Sequence, residues 1–134
     1  SYGAVQGYPE NGATVQPFTT LGGAFARATG SDPFALPRTW TSGKAKLNLS
    51  TPFNFVTTND IIGGDSGSPV VDRDGAIVGL IFDGNLHSLG GDYAYEPRDN
   101  RAVAVHTATI LEALEKVYGA RAVAAELSGT RPPL

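Results

Sequence analysis

Residues 76–82 (Ala-Ile-Val-Gly-Leu-Ile-Phe) form a nearly continuous apolar run, and such a run with β-branched and aromatic side chains reads as a buried strand. The turn sequence Asp72-Arg73-Asp74-Gly75 precedes it, so residues 69–71 (Pro-Val-Val) are expected to pair back against it as a second strand. Upstream again lies a loop in which Gly63, Gly64, Gly67 and Pro69 crowd around one serine, Ser66. Glycines here let the backbone take positive φ and let another chain approach closely. A buried strand with a glycine-rich serine loop at its flank is the frame on which the rest must be placed.

Four further strands follow from local pattern. Residues 2–7 and 13–18 flank the turn Pro9-Glu10-Asn11-Gly12, in which Asn-Gly is a strong hairpin signal. Phe53, Phe55 and Thr57 alternate with Asn54, Val56 and Thr58 on the way into the serine loop, and residues 101–105 alternate again. Thr19-Thr20 offers a cap for a short helix over residues 21–28. Thr107 opens a second helix that sets Ile110, Leu111, Leu114, Val117 and Tyr118 on one face and stops at Gly119. A third short helix is expected over residues 121–127, and residues 128–134 read as a flexible tail. Residues 29–51 lose any period and read as an irregular surface excursion anchored by Phe34 and Trp40. Six strands with a terminal helix predict a mainly β domain built as a six-stranded antiparallel barrel with a C-terminal α-helix.

Composition narrows the function classes. At 134 residues, 41% hydrophobic and 17% charged, the chain has the length of one domain, 1–134, with a core. A net charge of −3 gives no basic footprint for nucleic acid, and no apolar run is long enough to span a bilayer. Without cysteine there are neither disulfides nor thiolate metal sites, and His87 and His106 fall in no metal-ligand spacing. We therefore expect no metal and no organic cofactor.

Ser66 is the candidate nucleophile for acyl transfer. A turn that presents its hydroxyl, with the Gly64 and Ser66 amides facing the same side, would suit attack on a carbonyl and stabilisation of the oxyanion. A plain glycine-rich hairpin turn competes with that reading. What distinguishes this loop is its context, Gly-Gly-Asp-Ser-Gly-Ser-Pro-Val-Val followed by a strand and Phe82-Asp83-Gly84-Asn85.

That stretch, residues 59–85, resembles the nucleophile region of the bacterial S46 dipeptidyl-peptidases, serine exopeptidases of the chymotrypsin-like clan. The resemblance extends from Tyr2-Gly3 and Phe18-Thr19-Thr20 to residues 101–118 and is weakest over 31–51. It implies the second, serine-bearing barrel of a chymotrypsin-like architecture, and a chain that is a carboxyl-terminal piece of a longer enzyme. It also implies a periplasmic or cell-surface setting. The triad histidine and aspartate of the family lie upstream, and neither His87 nor His106 matches them. The isolated chain is therefore expected to be inactive and to need the missing N-terminal barrel.

By the same resemblance Asp83 would hold the free amino group of a peptide substrate. Gly84 would leave the primary pocket open and uncharged, whereas a bulky basic residue there goes with acidic substrates. Hydrophobic or aromatic side chains are thus expected at the dipeptide's second residue (P1). Asp83-Gly84 as a simple turn is the competing reading. Family members carry asparagine where this chain has Asp65, which we read as a turn aspartate bonding nearby amides. Two alternatives accompany the leading one: a chymotrypsin-like endopeptidase fragment, and a non-catalytic barrel that binds peptides or a partner domain. An exposed face left by the absent barrel would also favour homo-oligomers.

Overall fold

The computed structural model describes residues 1–91 and 93–130. Its centre is a five-stranded antiparallel sheet in the order β3-β4-β7-β6-β5. These strands are β3 (Phe18–Thr20), β4 (Pro52–Thr57), β5 (Pro69–Val71), β6 (Ile77–Gly84) and β7 (Ala102–His106). A separate hairpin is made by β1 (Tyr8–Glu10) and β2 (Ala13–Val15).

The apolar run predicted as the best-buried strand lies in β6, paired with β7 on one side and β5 on the other. Its Ile81 joins Phe55, Ala102 and Ala104 in the buried core, with Ile61, Val70 and Val78 packed against them. Gly79 of β6 lacks a side chain where the Phe55 ring needs the room. A Cβ built on Gly79 would lie 2.5 Å from that ring and 2.7 Å from the Val105 carbonyl oxygen.

The expected closed six-stranded barrel is corrected here. Among the described residues β3 and β5 are the two outer strands and do not pair, so the sheet stays open. Closure needs every edge paired, and two stretches taken as full strands are not. Residues 2–7 make a single bridge, Val5 with Thr57, flanked by bonds from Thr58 N–H to Ala4 O and from Gln6 N–H to Val56 O. The stretch 13–18 is divided by Pro17, which has no N–H for a ladder but accepts from Val56 N–H at 2.9 Å. The hairpin itself turns at Asn11-Gly12, both with positive φ (50° and 79°), as Asn-Gly predicts.

Helix α1 (Leu21–Arg27) starts where the threonines indicated: Thr20 Oγ1 accepts from Gly23 N–H at 3.2 Å, and Leu21 is fully buried. The excursion contains α2 (Arg38–Gly43) and one 3-10 turn (Lys44–Lys46). Trp40 donates its indole N–H to the Tyr118 hydroxyl at 3.0 Å and meets the edge of Phe53, whereas Phe34 is 42% exposed beneath the Arg27 guanidinium.

The excursion's return to the sheet is held by Glu112, whose carboxylate accepts from Asn48 N–H, Thr51 Oγ1 and Lys116 Nζ. Helix α3 (Thr107–Glu112) continues through a wider π turn (Ala113–Val117) to Gly119 at φ 67°, and α4 (Arg121–Leu127) follows. No described helix is long and apolar enough to cross a membrane. The expected tail 128–134 lies beyond the described residues from 131 onward.

Candidate active site

Between β4 and β5 the chain makes two successive turns. Asp65 N–H donates to Ile62 O at 3.1 Å, and the Asp65 carboxylate accepts from Ile62 N–H at 2.9 Å, locking the first turn from both ends. Asp65 is thus the turn aspartate that its position indicated. Ser68 N–H donates to Asp65 O at 2.9 Å to close the second turn. Each turn has glycine at its third position with positive φ, Gly64 at 106° and Gly67 at 91°, where a residue with a Cβ would be strained.

The second turn is fastened to β6 by Gly67 N–H to Ile81 O at 2.7 Å and Ile81 N–H to Ser68 O at 2.9 Å. Ser66 therefore stands exposed at the tip of a turn whose base is part of the sheet. Among the described residues the Gly64 and Ser66 N–H groups have no intramolecular acceptor, while those of Asp65, Gly67 and Ser68 are used. Gly63 N–H is free as well, so three unengaged amides lie at or just before the serine, and donors not already used are what a developing oxyanion needs.

Asp83 and Gly84 end β6, two and three residues beyond the Ile81 that holds the serine loop. Asp83 is exposed, and its Oδ1 accepts from the Gly84 N–H at 2.8 Å. Gly84 sits opposite Ala102 in the register. Beyond it, Asn85 is buried and organises the next loop. Its Oδ1 accepts from Ser88 and Arg101 N–H groups, and its Nδ2 donates to Asp99 O at 2.7 Å.

Arg101 completes this support. It is 1% exposed, and its guanidinium donates to the carbonyls of Gln6, Gly7, Pro97, Arg98 and Asn100. Neither Asn85 nor Arg101 was singled out from sequence. The one available signal was an arginine at the head of an otherwise apolar strand.

The two histidines are engaged elsewhere. His106 caps α3, its Nδ1 accepting from Ala108 N–H at 3.0 Å, and its ring packs against Phe18 and Phe55. Burial lowers its pKa below the usual histidine value. His87, whose place in sequence near Asp83 and Asp92 suggests a base with an orienting carboxylate, lies instead 3.9 Å from Glu10 and edge-on to Tyr8; Asp92 lies outside the described residues. Among the described residues no histidine bonds to Ser66, and no three His, Asp or Glu side chains cluster to hold a metal ion.

An open groove of about 800 Å³ runs between the N-terminal segment and β5, lined in part by Tyr2, Val5, Thr57, Asp65, Ser68 and Val70. Ser66, Asp83 and Gly84 are outside it.

A largely antiparallel β protein with a serine held out on a glycine double turn is the class these features define. The pattern of the peptidase S46 family matches residues 1–129, and the chain belongs to that family. Dipeptidyl-peptidase 7 of Porphyromonas gingivalis is 37% identical over 125 residues, which are 87% of this chain and 18% of that protein. An Asp/Glu-specific dipeptidyl-peptidase of Shewanella putrefaciens is 33% identical over 162 residues, covering 98% of this chain and 22% of the relative. The crystal structure of Porphyromonas endodontalis DPP11 with the dipeptide Arg-Glu superposes with a TM-score of 0.86 at 26% identity, over 94% of this chain and 20% of that one. The chain thus spans about a fifth of the length of its relatives.

Proposed function

We propose that these residues are the serine-bearing part of a peptidase that releases dipeptides from the free amino end of peptides. Ser66 Oγ attacks the carbonyl carbon of the dipeptide's second residue as a base removes its proton. The Gly64 and Ser66 amides hold the oxyanion. Collapse expels the amine of the remaining peptide, which takes the proton, and water then releases the dipeptide from the ester. Asp83 receives the substrate ammonium, which its exposed carboxylate suits. The observation that carries this reading is the exposed Ser66 whose own amide and that of Gly64 are unengaged, in a chain of the S46 family.

The base and its orienting carboxylate come from protein outside these residues, so the isolated chain is inactive. That fits histidines already committed to Ala108 and to the β1 side chain of Glu10. In the whole protein the open sheet is completed as a chymotrypsin-like barrel against an N-terminal one. Support comes from the groove beside β5 and from Tyr2, Ile62, Leu86 and Leu89, each more than 60% exposed. Alone, such a surface drives self-association. A periplasmic or cell-surface location accompanies this role.

For P1, Gly84 supports an uncharged pocket and hydrophobic or aromatic side chains. The Asp/Glu-specific names among the relatives weigh towards acidic ones. An acidic side chain would need a cation, and Arg101, whose carbonyl is 3.6 Å from a Cβ built on Gly84, has its guanidinium committed to five carbonyls. Peptides ending their first dipeptide in Phe, Leu, Asp or Glu, each with a free or acetylated amino end, test the whole reading. We expect release from free Phe and Leu peptides only. Cleavage of the acetylated set would point to an endopeptidase instead.

A further inference from the structure

Gly84 is the residue at which the pocket's character is set in the reading above, and its surroundings hold a second determinant. A Cβ built on Gly84 would lie 2.0 Å from Ser88 Oγ and 2.9 Å from Ser88 Cβ. Both distances are far inside van der Waals contact, so the two residues compete for one volume. Ser88 is not free to yield it. Its hydroxyl donates to Asn85 O at 2.7 Å, and its N–H donates to the same residue's carbonyl and side-chain oxygens.

Asn85 is itself buried and bonded to Asp99 and Arg101, so the turn carrying Ser88 is fixed to the sheet. Turning the hydroxyl aside would break its bond to Asn85 and would still leave Cβ at 2.9 Å. Ser88 also sits in a short 3-10 helix (Leu86–Gly90) that Asn85 caps through its side chain.

Resting on the proposed dipeptidyl-peptidase activity, we infer that Ser88 is a specificity-determining residue, paired with Gly84. Ser88 fills the space through which any side chain at position 84 would have to leave the backbone. The pocket is therefore held uncharged by two residues. A cation at 84, suited to acidic substrates, can enter only if residue 88 gives up its side chain. Ser88 acts through residue 84 and contacts no reacting atom.

The test is a double-substitution cycle in the whole protein: Gly84→Arg, Ser88→Gly and both together, reading melting temperature and dipeptide release from Phe- and Glu-containing peptides. Gly84→Arg alone is expected to lower the melting temperature and depress release from both peptides. Adding Ser88→Gly is expected to restore melting and to raise the Glu-to-Phe ratio by about tenfold or more over the single variant. A Gly84→Arg protein that melts normally and already has the full ratio contradicts the inference, and so does a double variant no different from the single one. If the unsubstituted protein releases no dipeptides, the functional reading fails and the specificity claim with it. Release with preferences unmoved by any variant contradicts the specificity claim alone.

Discussion

The guanidinium of Arg101 grips the carbonyl of Gly7 through two nitrogens, Nη2 at 2.8 Å and Nε at 3.3 Å. One buried side chain from the head of β7 thereby ties the N-terminal segment to the loop that follows the candidate substrate residues. No carboxylate is needed, because five carbonyl groups share the charge.

Arg101→Met removes those donors and leaves several buried carbonyls without partners. Each such group costs about 1–3 kcal/mol, and partial access of water offsets some of it, so a loss of roughly 2–4 kcal/mol is expected. Urea denaturation measures it. A loss below about 1 kcal/mol would mean that those carbonyls find other donors.

Gly79→Ala places a methyl group into the Phe55 ring and the Val105 carbonyl. The ring cannot leave, since Phe55 is 2% exposed at the centre of the core. Overpacking of this kind costs roughly 1–3 kcal/mol. Thermal melting of the variant checks this, and an unchanged midpoint would show that the sheet opens to take the methyl.

How much of this was readable beforehand varies with the range of the interactions. The β6 run, the Asn11-Gly12 turn, the Thr20 cap and the Gly119 stop were legible because each is specified by neighbours in sequence. A glycine turn presenting Ser66 was legible too, since Gly64 and Gly67 mark where positive φ is needed, although its division into two turns was not. The open sheet was not. Pro17 splits a stretch that reads as one strand, and residues 2–7 pair with β4 at only one bridge, which depends on partners about fifty residues away. Glu112 and Arg101 escaped for the same reason. Glu112 looks like any exposed helix carboxylate until the excursion folds its Asn48 amide onto it.

Two groups with lowered pKa, His106 and Glu112, make stability fall with falling pH in two different windows. For His106, burial lowers the folded pKa. Its contribution is complete above the pKa of an unfolded histidine and is lost as pH falls through the lower folded value, because the unfolded chain then binds the extra proton. His106→Asn keeps an acceptor at the helix start without that proton site. Between neutral and mildly acid pH the stability of the unsubstituted protein should therefore fall more steeply than that of His106→Asn. Parallel curves would contradict the assignment.

For Glu112, burial would raise the carboxyl pKa. The Asn48 N–H, the Lys116 and Thr51 hydrogen bonds and the Lys116 charge outweigh it, and the folded pKa ends below the usual value. Stability from this group is present above the unfolded glutamate pKa and is lost as pH falls through the folded one. Glu112→Gln should lower stability at neutral pH and flatten the decline in the acid carboxylate range, below the histidine window. Chemical denaturation at a series of pH values separates the two effects.

In the proposed reaction Ser66 is the nucleophile that releases dipeptides. The most direct measurement is mass spectrometry of the whole protein after a fluorophosphonate probe, alongside dipeptide release, with and without Ser66→Ala. One adduct is expected on the peptide containing Ser66 in the whole protein and none on the 134-residue chain alone. Ser66→Ala is expected to abolish both the adduct and the release. Dipeptide release that survives Ser66→Ala, or an adduct on another residue, would rule Ser66 out as the nucleophile.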